Sequence, residues 1–217
     1  MRTIPANTLL PPKAPNLPVG PVEYNQQYID QLNNVLRLYF NELDNAFKLI
    51  AGSSQGGAYL RFPYGAFQSG VSQTTTANTA TAMTFDTTDY ANGVSVASSS
   101  RITVTNPGIY NLQWSGQFQN TDTQLHDASV WLRVNGTDAT GSNGIVSIPN
   151  SHGGVNGHII AAWNYFVQLN ANDYVELWWS TDDAKVSLQY YAAGATPTRP
   201  TTASIIATLS FVSALPA

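Results

Sequence analysis

The sequence predicts a mainly β protein: a sandwich or jelly roll of about eight to ten antiparallel strands, preceded by one long helix and an extended proline-rich arm. Three observations support this fold class. Short runs of alternating apolar and polar residues recur about every ten residues over roughly the last two thirds of the chain. An earlier segment without Gly or Pro carries a helical spacing of apolar residues, and six prolines lie within residues 1–21.

Composition limits the functions that this chain can have. Only 10% of its 217 residues are charged, it has no cysteine, and its net charge is −4. The lack of cysteine excludes disulfides and thiol chemistry, and without a cluster of Lys and Arg we expect no nucleic-acid partner. No apolar run approaches the roughly 20 residues of a membrane span, so we expect no membrane insertion. We also expect no secretory signal peptide, since the first residues lack an apolar region.

Residues 1–21 form the first predicted segment, a proline-rich arm. Proline removes a backbone donor and fixes φ, so this segment can be neither a helix interior nor a central strand. It is either a disordered polyproline-like tail or an extended arm held against another subunit. We expect the second, with the arm anchoring the chain.

Residues 22–50 form the second segment, a predicted helix roughly 40 Å long at about 1.5 Å per residue. Pro21 suits its first turn, and Gly52 suits its end. One seam of apolar residues has the alternating three- and four-residue spacing of a coiled coil. The seam consists of Ile29, Leu32, Leu36, Tyr39, Leu43, Ala46 and Ile50. Because Leu38, Phe40 and Phe47 lie off it, the pattern favours a coiled coil or bundle over one amphipathic helix packed on a globular core.

Residues 51–71 are a predicted connector rich in glycine and aromatic residues, and residues 72–217 are the predicted β head. No helical pattern interrupts the head, which favours a sandwich or jelly roll. The predicted strands are residues 83–85, 102–104, 109–118, 129–134, 145–148, 158–169, 174–179, 186–190 and 204–212.

The stretch 101–118 shows how the head strands are expected to lie. Asn106-Pro107-Gly108 is a turn, because Pro107 fixes φ and Gly108 can adopt positive φ. After the turn, apolar residues alternate with Gln, Asn and Ser, which predicts one buried face and one polar, uncharged face. The same alternation in the other strands predicts the core of the head. It comprises Ile102, Val104, Tyr110, Leu112, Trp114, Phe118, Val130, Leu132, Val134, Val175 and Leu177.

The order of these motifs resembles the C1q/TNF-like jelly-roll superfamily over about residues 72–217. The resemblance is carried by a strand, a Pro-Gly turn and an aromatic strand at 102–110, and by a strand ending in Asn-Gly at 130–136. It continues with the Leu-x-x-x-Asp-x-Val-x-Leu element at 169–177 and a C-terminal core strand at 204–212. The glycines of the loop 153–157 depart from the family pattern. The resemblance implies a trimer.

The helical region carries a second resemblance. Residues 24–41 resemble the N-terminal segments of virion structural proteins of tailed marine bacteriophages, which often carry C1q/TNF-like heads. This implies a virion location, and contacts with other virion proteins through residues 1–50. It also implies a tail fibre, tail component or capsid appendage.

The head has more large aromatic residues than one small core needs. Those on the polar parity of their strands are expected at a subunit interface, where aromatic residues concentrate. The candidates are Trp131, Trp178, Tyr190 and Tyr191. The alternative is a second apolar patch covered by a loop of the same chain.

No motif of the sequence predicts an active site, so we expect no enzyme and no cofactor. Two weak metal patterns are His152 with His158 on a threefold axis, and Asp182-Asp183 with Asp173 and Glu176 as calcium ligands. Asp122 and Asp127 resemble an acid/base pair, but they lie on predicted loops, as the acidic residues of the calcium pattern do. Solvated loops are the simpler interpretation of all three. Asn135-Gly136-Thr137 matches a glycosylation sequon, but it is also a good hairpin turn.

Two functions follow from these expectations. The first is a trimeric phage fibre, anchored by its arm and helix, whose head attaches to a host-surface glycan or protein through several weak sites. The alternative is a capsid decoration, head fibre or tail adaptor with a purely structural role. A host-encoded C1q-like lectin fits less well, since neither cysteines nor a signal peptide is found, and an enzyme such as a depolymerase comes last.

Overall fold

The computed structural model describes residues 13–51 and 62–215 of the chain. Two compact units divide between residues 61 and 62, and the second, Phe62–Leu215, is the head. Residues 1–12 of the predicted arm and 52–61 of the predicted connector lie outside the described part. So do residues 216–217 and the side chain of Ile50 in the predicted seam.

The first unit contains one helix, α1, at Gln26–Ala51. It begins four residues later than predicted, because Asn25 is its N-cap: the Asn25 Oδ1 accepts a hydrogen bond of 3.1 Å from the Tyr28 backbone N–H. An ion pair of 2.6 Å between Lys48 and Asp44 supports the last turns. Neither α1 nor any other helix in the described ranges is long and apolar enough to cross a membrane.

Residues 13–21, the described part of the arm, have no helix or strand. The Tyr28 hydroxyl donates to the Pro18 carbonyl at 3.2 Å. A Cβ on Gly20 would lie only 3.4 Å from the same hydroxyl. The end of the arm therefore packs beside the first turn of α1.

The head is built from strands, most of them antiparallel neighbours. They are β1 (Tyr64–Ser69), β2 (Gln73–Thr74), β3 (Thr81–Ala82), β4 (Thr87–Asn92), β5 (Val94–Ala97), β6 (Arg101–Val104), β7 (Gly108–Asn120), β8 (His126–Val134), β9 (Thr137–Asp138), β10 (Gly144–Ile148), β11 (Gly157–Leu169), β12 (Tyr174–Thr181), β13 (Val186–Leu188), β14 (Gly194–Ala195), β15 (Thr198–Arg199) and β16 (Ile205–Ser213). Five of them are only two residues long, which is why the sequence predicts fewer.

The strands form two seven-stranded sheets and a small β14–β15 hairpin. Sheet A has the order β2-β13-β7-β16-β1-β4, with β11 on β7; sheet B has the order β10-β8-β12-β6-β5, with β3 on β12 and β9 on β8. The chain crosses repeatedly from one sheet to the other, so neither sheet is a simple meander. A mainly β, antiparallel architecture is therefore confirmed, and it is consistent with a jelly-roll sandwich.

β7 and β11 are the longest strands, and they pair along their whole length from Gly108↔Leu169 to Asn120↔Gly157. The other edge of β7 pairs first with β16 and then with β13. In the described residues β11 has β7 as its only partner. β11 is therefore an edge strand of sheet A.

One apolar core fills the space between the two sheets. Ten of the eleven predicted core residues are buried, and Val134 is partly buried and packs against the core. Trp179, which is fully buried, makes an edge-to-face contact with Phe118 at 5.8 Å between ring centroids. Trp114 stacks on Trp163 at 5.3 Å.

The head begins earlier than the sequence predicts. β1 lies inside the predicted connector, between β16 and β4 of sheet A, and the compact unit starts at Phe62 rather than at residue 72. The buried positions of β1 are Gly65, Phe67 and Ser69, so the strand lacks the apolar alternation that reveals the others. Gly65 is required there, because a Cβ would lie 2.4 Å from the Phe67 ring.

The sandwich has two ends that differ in their connections. At the entry end the chain arrives at Pro63, whose carbonyl accepts from the Phe211 N–H at 2.9 Å, and the β6–β7 and β11–β12 turns meet there. At the opposite end, the far end, lie the loops 121–125, 149–156 and 182–185, which follow β7, β10 and β12.

Candidate functional site

The outer face of sheet A has a region without ionisable side chains that crosses β11, β7 and β16. Side chains from β11, β7 and β16 form three cross-strand rows. The rows are Ala162–Ser115–Ile206, Asn164–Gln113–Thr208 and Phe166–Asn111–Ser210. None of these nine residues is ionisable, and the Asn164 Nδ2 donates to the Asn111 Oδ1 at 3.1 Å.

Large apolar side chains project from the same face. Ile160 is 66% exposed, Phe166 is 65% exposed and Ile206 is 44% exposed. Between them the small residues Ser115 and Ala162 leave a depression of about 500 Å³, also lined by Gln113 and Asn164. Apolar rims around a depression are typical of a surface that another protein covers.

The outer face of sheet B is different, because its aromatic residues contact charged groups of the same chain. The Arg133 guanidinium lies 3.7 Å from the Trp178 ring centroid, and its Nε donates to the Asp138 Oδ1 at 2.6 Å. The Trp131 Nε1 donates to the same oxygen at 2.7 Å. The Arg133 and Trp131 hydrogen bonds hold the pKa of Asp138 below its usual value.

A second cation–aromatic pair continues this surface. Arg101 lies 4.6 Å from the Tyr174 ring centroid and 3.6 Å from the buried Glu176 carboxylate. Glu176 also accepts from the Ser100 hydroxyl at 2.7 Å. On the outer face of sheet B, the arginines thus contact aromatic rings and carboxylates of the same chain.

The four predicted interface aromatics do not form one surface. Trp131 and Trp178 are cross-strand neighbours on sheet B, whereas Tyr190 and Tyr191 follow β13 of sheet A. The Tyr191 hydroxyl donates to the Gln119 side chain and lies 3.1 Å from the His158 Nδ1. Partial burial raises the pKa of Tyr191.

The seam of α1 has little cover from the described part of its own chain. Its six described members, from Ile29 to Ala46, are all half-buried, and Leu38, Phe40 and Phe47 are exposed. Tyr39 and Phe40 contact each other at 6.1 Å between ring centroids. The helix thus presents apolar surface on the seam and beside it.

A hydrogen-bond network joins the β8–β9 turn to the β11–β12 turn at the entry end. The Asn135 Nδ2 donates to the Asp173 carboxylate at 2.8 Å, and the Asn135 Oδ1 accepts from the Tyr174 N–H at 3.0 Å. The Asn170 N–H donates to Asp173 at 2.7 Å, and this bond is the main cause of a lowered Asp173 pKa. Asn135 and Gly136 both have positive φ, so the Asn-Gly-Thr triplet forms a hairpin turn. The side-chain amide of its asparagine is engaged in hydrogen bonds to Asp173 and Tyr174.

The strongest cluster of ionisable groups lies at the far end, around His126. The His126 side chain is only 13% exposed; its Nε2 lies 3.0 Å from Asp122 and its Nδ1 lies 3.1 Å from Asp182. Asp183 is 4.0 Å from the Nε2. Asp122, His126 and Asp183 are the one group in the described ranges with potential metal-ligating atoms close together.

The residues of each metal or acid/base pattern that the sequence suggested do not lie together in the structure. His152 and His158 do not belong to that group; they flank a turn in which Gly153 and Gly154 have positive φ. Asp173 and Asp182 lie at opposite ends of β12, about 25 Å apart for eight residues of strand, so they cannot be ligands of one calcium ion. Asp127 accepts from the Ser147 hydroxyl at 2.5 Å and is not paired with Asp122.

No model of a known protein family matches this sequence, and a search of the curated proteins finds no match.

The sequence prediction missed the His126 cluster because it depends on the pairing of β8 with β12. That pairing places the start of β8 beside the end of β12. The four-residue spacing of Asp122 and His126 was the available signal.

Proposed function

We propose that this chain is a non-enzymatic structural protein of a bacteriophage virion, a trimeric fibre whose C1q/TNF-like head attaches to the host surface. The single observation that carries the proposal is the uncharged outer face of sheet A, which projects Ile160, Phe166 and Ile206 into solvent. The identity of the virion as a phage rests on the resemblance of residues 24–41.

The chemistry of this face favours another copy of the same chain as its partner. A patch of three large apolar side chains would be costly to leave in water. Gln113, Asn111 and Asn164 each carry both donors and acceptors, so identical surfaces can satisfy one another without opposite charges. Such neutral amides suit an interface with a polar, hydrated margin.

The helix supports the same proposal independently. The seam of α1 repeats every seven residues, and identical chains bring identical seams together. Leu38, Phe40 and Phe47 widen its apolar surface beyond a two-stranded seam, which favours a bundle of three over a pair. The helix α1 and the outer face of sheet A therefore both favour further copies of this chain as partners.

The outer face of sheet B is the less suitable interface. Its Trp178 ring is already covered by Arg133, and its Trp131 nitrogen is hydrogen-bonded to Asp138. Burying these charged groups under another subunit would cost desolvation energy without new partners. We therefore propose sheet A, rather than Trp131 and Trp178, as the centre of the head interface.

The loops of the far end are the proposed attachment surface. They lie opposite the entry of the chain at Pro63, so they are the part of the head farthest from where the anchoring segments join it. The loops 121–125 and 149–156 carry amides and hydroxyls together with the exposed Leu125 and Val155. This mixture suits weak contacts with a glycan or protein, which three copies would strengthen by avidity.

The assembly is tested by sedimentation of the purified chain at micromolar concentration. We expect one species with three times the 23.4 kDa chain mass. A monomer at that concentration would contradict the proposal.

The virion location is tested by immunogold electron microscopy with an antibody against the head. Label at fibre or tail tips is the expected result. Label spread over the capsid would favour a decoration protein instead, and unlabelled particles would remove the virion assignment.

A further inference from the structure

His126 lies between carboxylates that come from two different loops. Asp122, in the loop 121–125, approaches the Nε2 at 3.0 Å, and Asp182, in the loop 182–185, approaches the Nδ1 at 3.1 Å. Asp183, from the second loop, is 4.0 Å from the Nε2. The imidazole thus contacts both loops, one through each of its nitrogens. It adds to the Thr121 backbone N–H and hydroxyl, which donate to the Lys185 carbonyl at 3.1 and 3.2 Å.

Both contacts are favourable only when the ring is doubly protonated. A neutral imidazole donates from one nitrogen and presents a lone pair on the other. In that state, one of the two carboxylates would face a lone pair at hydrogen-bond distance and would be repelled. The imidazolium donates to both carboxylates, and each of those hydrogen bonds is strengthened by charge.

We propose that His126, Asp122 and Asp182 form a proton-operated clasp, which ties the loop 121–125 to the loop 182–185 at the far end of the head. The clasp is closed when His126 carries a proton on both nitrogens. It opens when one of these protons leaves, because the ring then holds only one of the two loops.

The surrounding groups support this assignment. The hydrogen bond that His126 donates to Asp122 is the largest cause of a raised His126 pKa, with the charges of Asp182 and Asp183 adding to it against the effect of burial. The His126 hydrogen bond correspondingly lowers the Asp122 pKa, and Lys185 contributes. Asp127, the next residue along β8, points to Ser147 instead.

The direction of the pH effect follows from these shifts. Because the folded-state pKa of His126 lies above its unfolded value, the clasp stabilises the head fully below about pH 6.5. That contribution is lost as the pH rises through the higher folded-state value. The lowered Asp122 pKa means that the clasp also fails in strong acid, once Asp122 itself is protonated.

A third loop is attached to the clasp through the backbone of Asp122. Its carbonyl accepts from the Ser151 N–H at 2.7 Å, and Ser151 belongs to the loop 149–156. Opening the clasp therefore removes one of the ties among the three loops of the far end, while the hydrogen bonds from Thr121 to the Lys185 carbonyl remain. This regulation goes beyond the proposed trimer and does not depend on it.

The test is a histidine titration of the full chain by NMR, with His152 and His158 as internal references. We expect the His126 midpoint above pH 6.5, and we expect Asp182→Asn to lower it by about 1 pH unit while the reference midpoints stay in place. A wild-type midpoint at or below the ordinary value would overturn the clasp.

A second measurement separates the clasp from a purely structural role. The melting temperature of the wild type should fall from pH 6 to pH 9 by more than that of His126→Gln, whose side chain does not titrate. Equal falls would overturn the proposal. So would a shift of the His126 resonance by stoichiometric Zn²⁺ at neutral pH, which would make the cluster a metal centre instead.

Discussion

Asp173 shows how one side chain holds the entry end of the head together. Its two oxygens accept from Asn135 and Asn170, and its backbone carbonyl accepts from the Val104 N–H at 3.0 Å. The β8–β9 turn, the β11–β12 turn and the end of β6 therefore meet at one residue. The Asp-x-Val motif that the sequence offers as a family resemblance has this structural cause.

Asp173→Ala should lower the free energy of unfolding by about 1–2 kcal/mol, because it leaves Asn135 and the Asn170 N–H without their acceptor. Chemical denaturation would measure the loss. Asp89→Ala is the control, since exposed Asp89 accepts only from the Gln68 side chain among the hydrogen bonds described. An Asp173 variant as stable as the control would contradict this role.

The same residue sets part of the acid stability of the head. Its folded-state pKa is lowered, so the stabilisation is fully present above about pH 4 and is lost as the pH falls through the lower folded value. The wild type should therefore lose stability in acid faster than Asp173→Asn does. Parallel pH slopes for the two proteins would show that Asp173 is not the group that titrates.

Leu177 is a core residue whose truncation tests the assignment of the core. It is fully buried on β12, at the centre of sheet B. Leu177→Ala should cost about 2–5 kcal/mol of unfolding free energy through lost burial and a cavity. Ile145→Ala, at a position 64% exposed on β10 of the same sheet, should cost under about 1 kcal/mol in the same denaturation experiment. Similar losses would contradict the assigned core.

At the scale of elements, strands with alternating faces were predictable from the sequence and strands without them were not. β11 alternates along its whole length and β7 alternates up to Phe118, and the prediction located both. Two of the three buried positions of β1 are Gly65 and Ser69, so its sequence shows no apolar alternation. The short β9, β14 and β15 bury few side chains. Secondary structure that is held by neighbours rather than by its own apolar pattern leaves no periodic signal.

Helix boundaries and the far-end cluster were missed for related reasons. The start of α1 depends on one capping bond from Asn25, and Pro21 competed with it as a start signal. The contact of His126 with Asp182 depends on the antiparallel pairing of β8 with β12, and a single sequence does not state which strands pair. Local sequence rules can predict single helices and strands. A site formed by side chains of several elements can be predicted only when the pairing of those elements is known.

The helix should assemble through its seam. Replacing Leu36 and Leu43 with Asp places carboxylates inside the proposed bundle and should weaken the trimer, while the far-ultraviolet β signal of the head remains. Asn34→Asp with Asn41→Asp is the matched control, because it adds the same charges at exposed positions of α1. Sedimentation measures the outcome, and an unchanged trimer would mean that the head alone holds the chains together.

At the scale of the whole molecule, the two outer faces of the head offer a matched test of the interface. Ile160 on sheet A and Ile145 on sheet B are exposed to nearly the same extent, 66% and 64%. Ile160→Asp should raise the dissociation constant of the trimer by about 100-fold, since an unpaired charge in an interface costs about 3 kcal/mol or more. Ile145→Asp should leave it unchanged.

Sedimentation equilibrium over a dilution series would measure both constants. If Ile145→Asp dissociated the trimer and Ile160→Asp did not, sheet B would be the interface and our assignment would be reversed. The uncharged rows of sheet A further predict that added salt does not weaken the wild-type head contact, because no ion pairs there can be screened.

The free edge of β11 has a consequence for how such a chain must be made. On the side of β11 away from β7, about every second residue points its backbone N–H and C=O outward, near Ile160 and Phe166, and no described strand pairs with these groups. An open apolar edge strand is a template for adding further strands. Newly synthesised heads would then be at risk of fibrous aggregation until that region is covered. Association of the chains before they accumulate would then protect the solubility of the protein as well as complete its assembly.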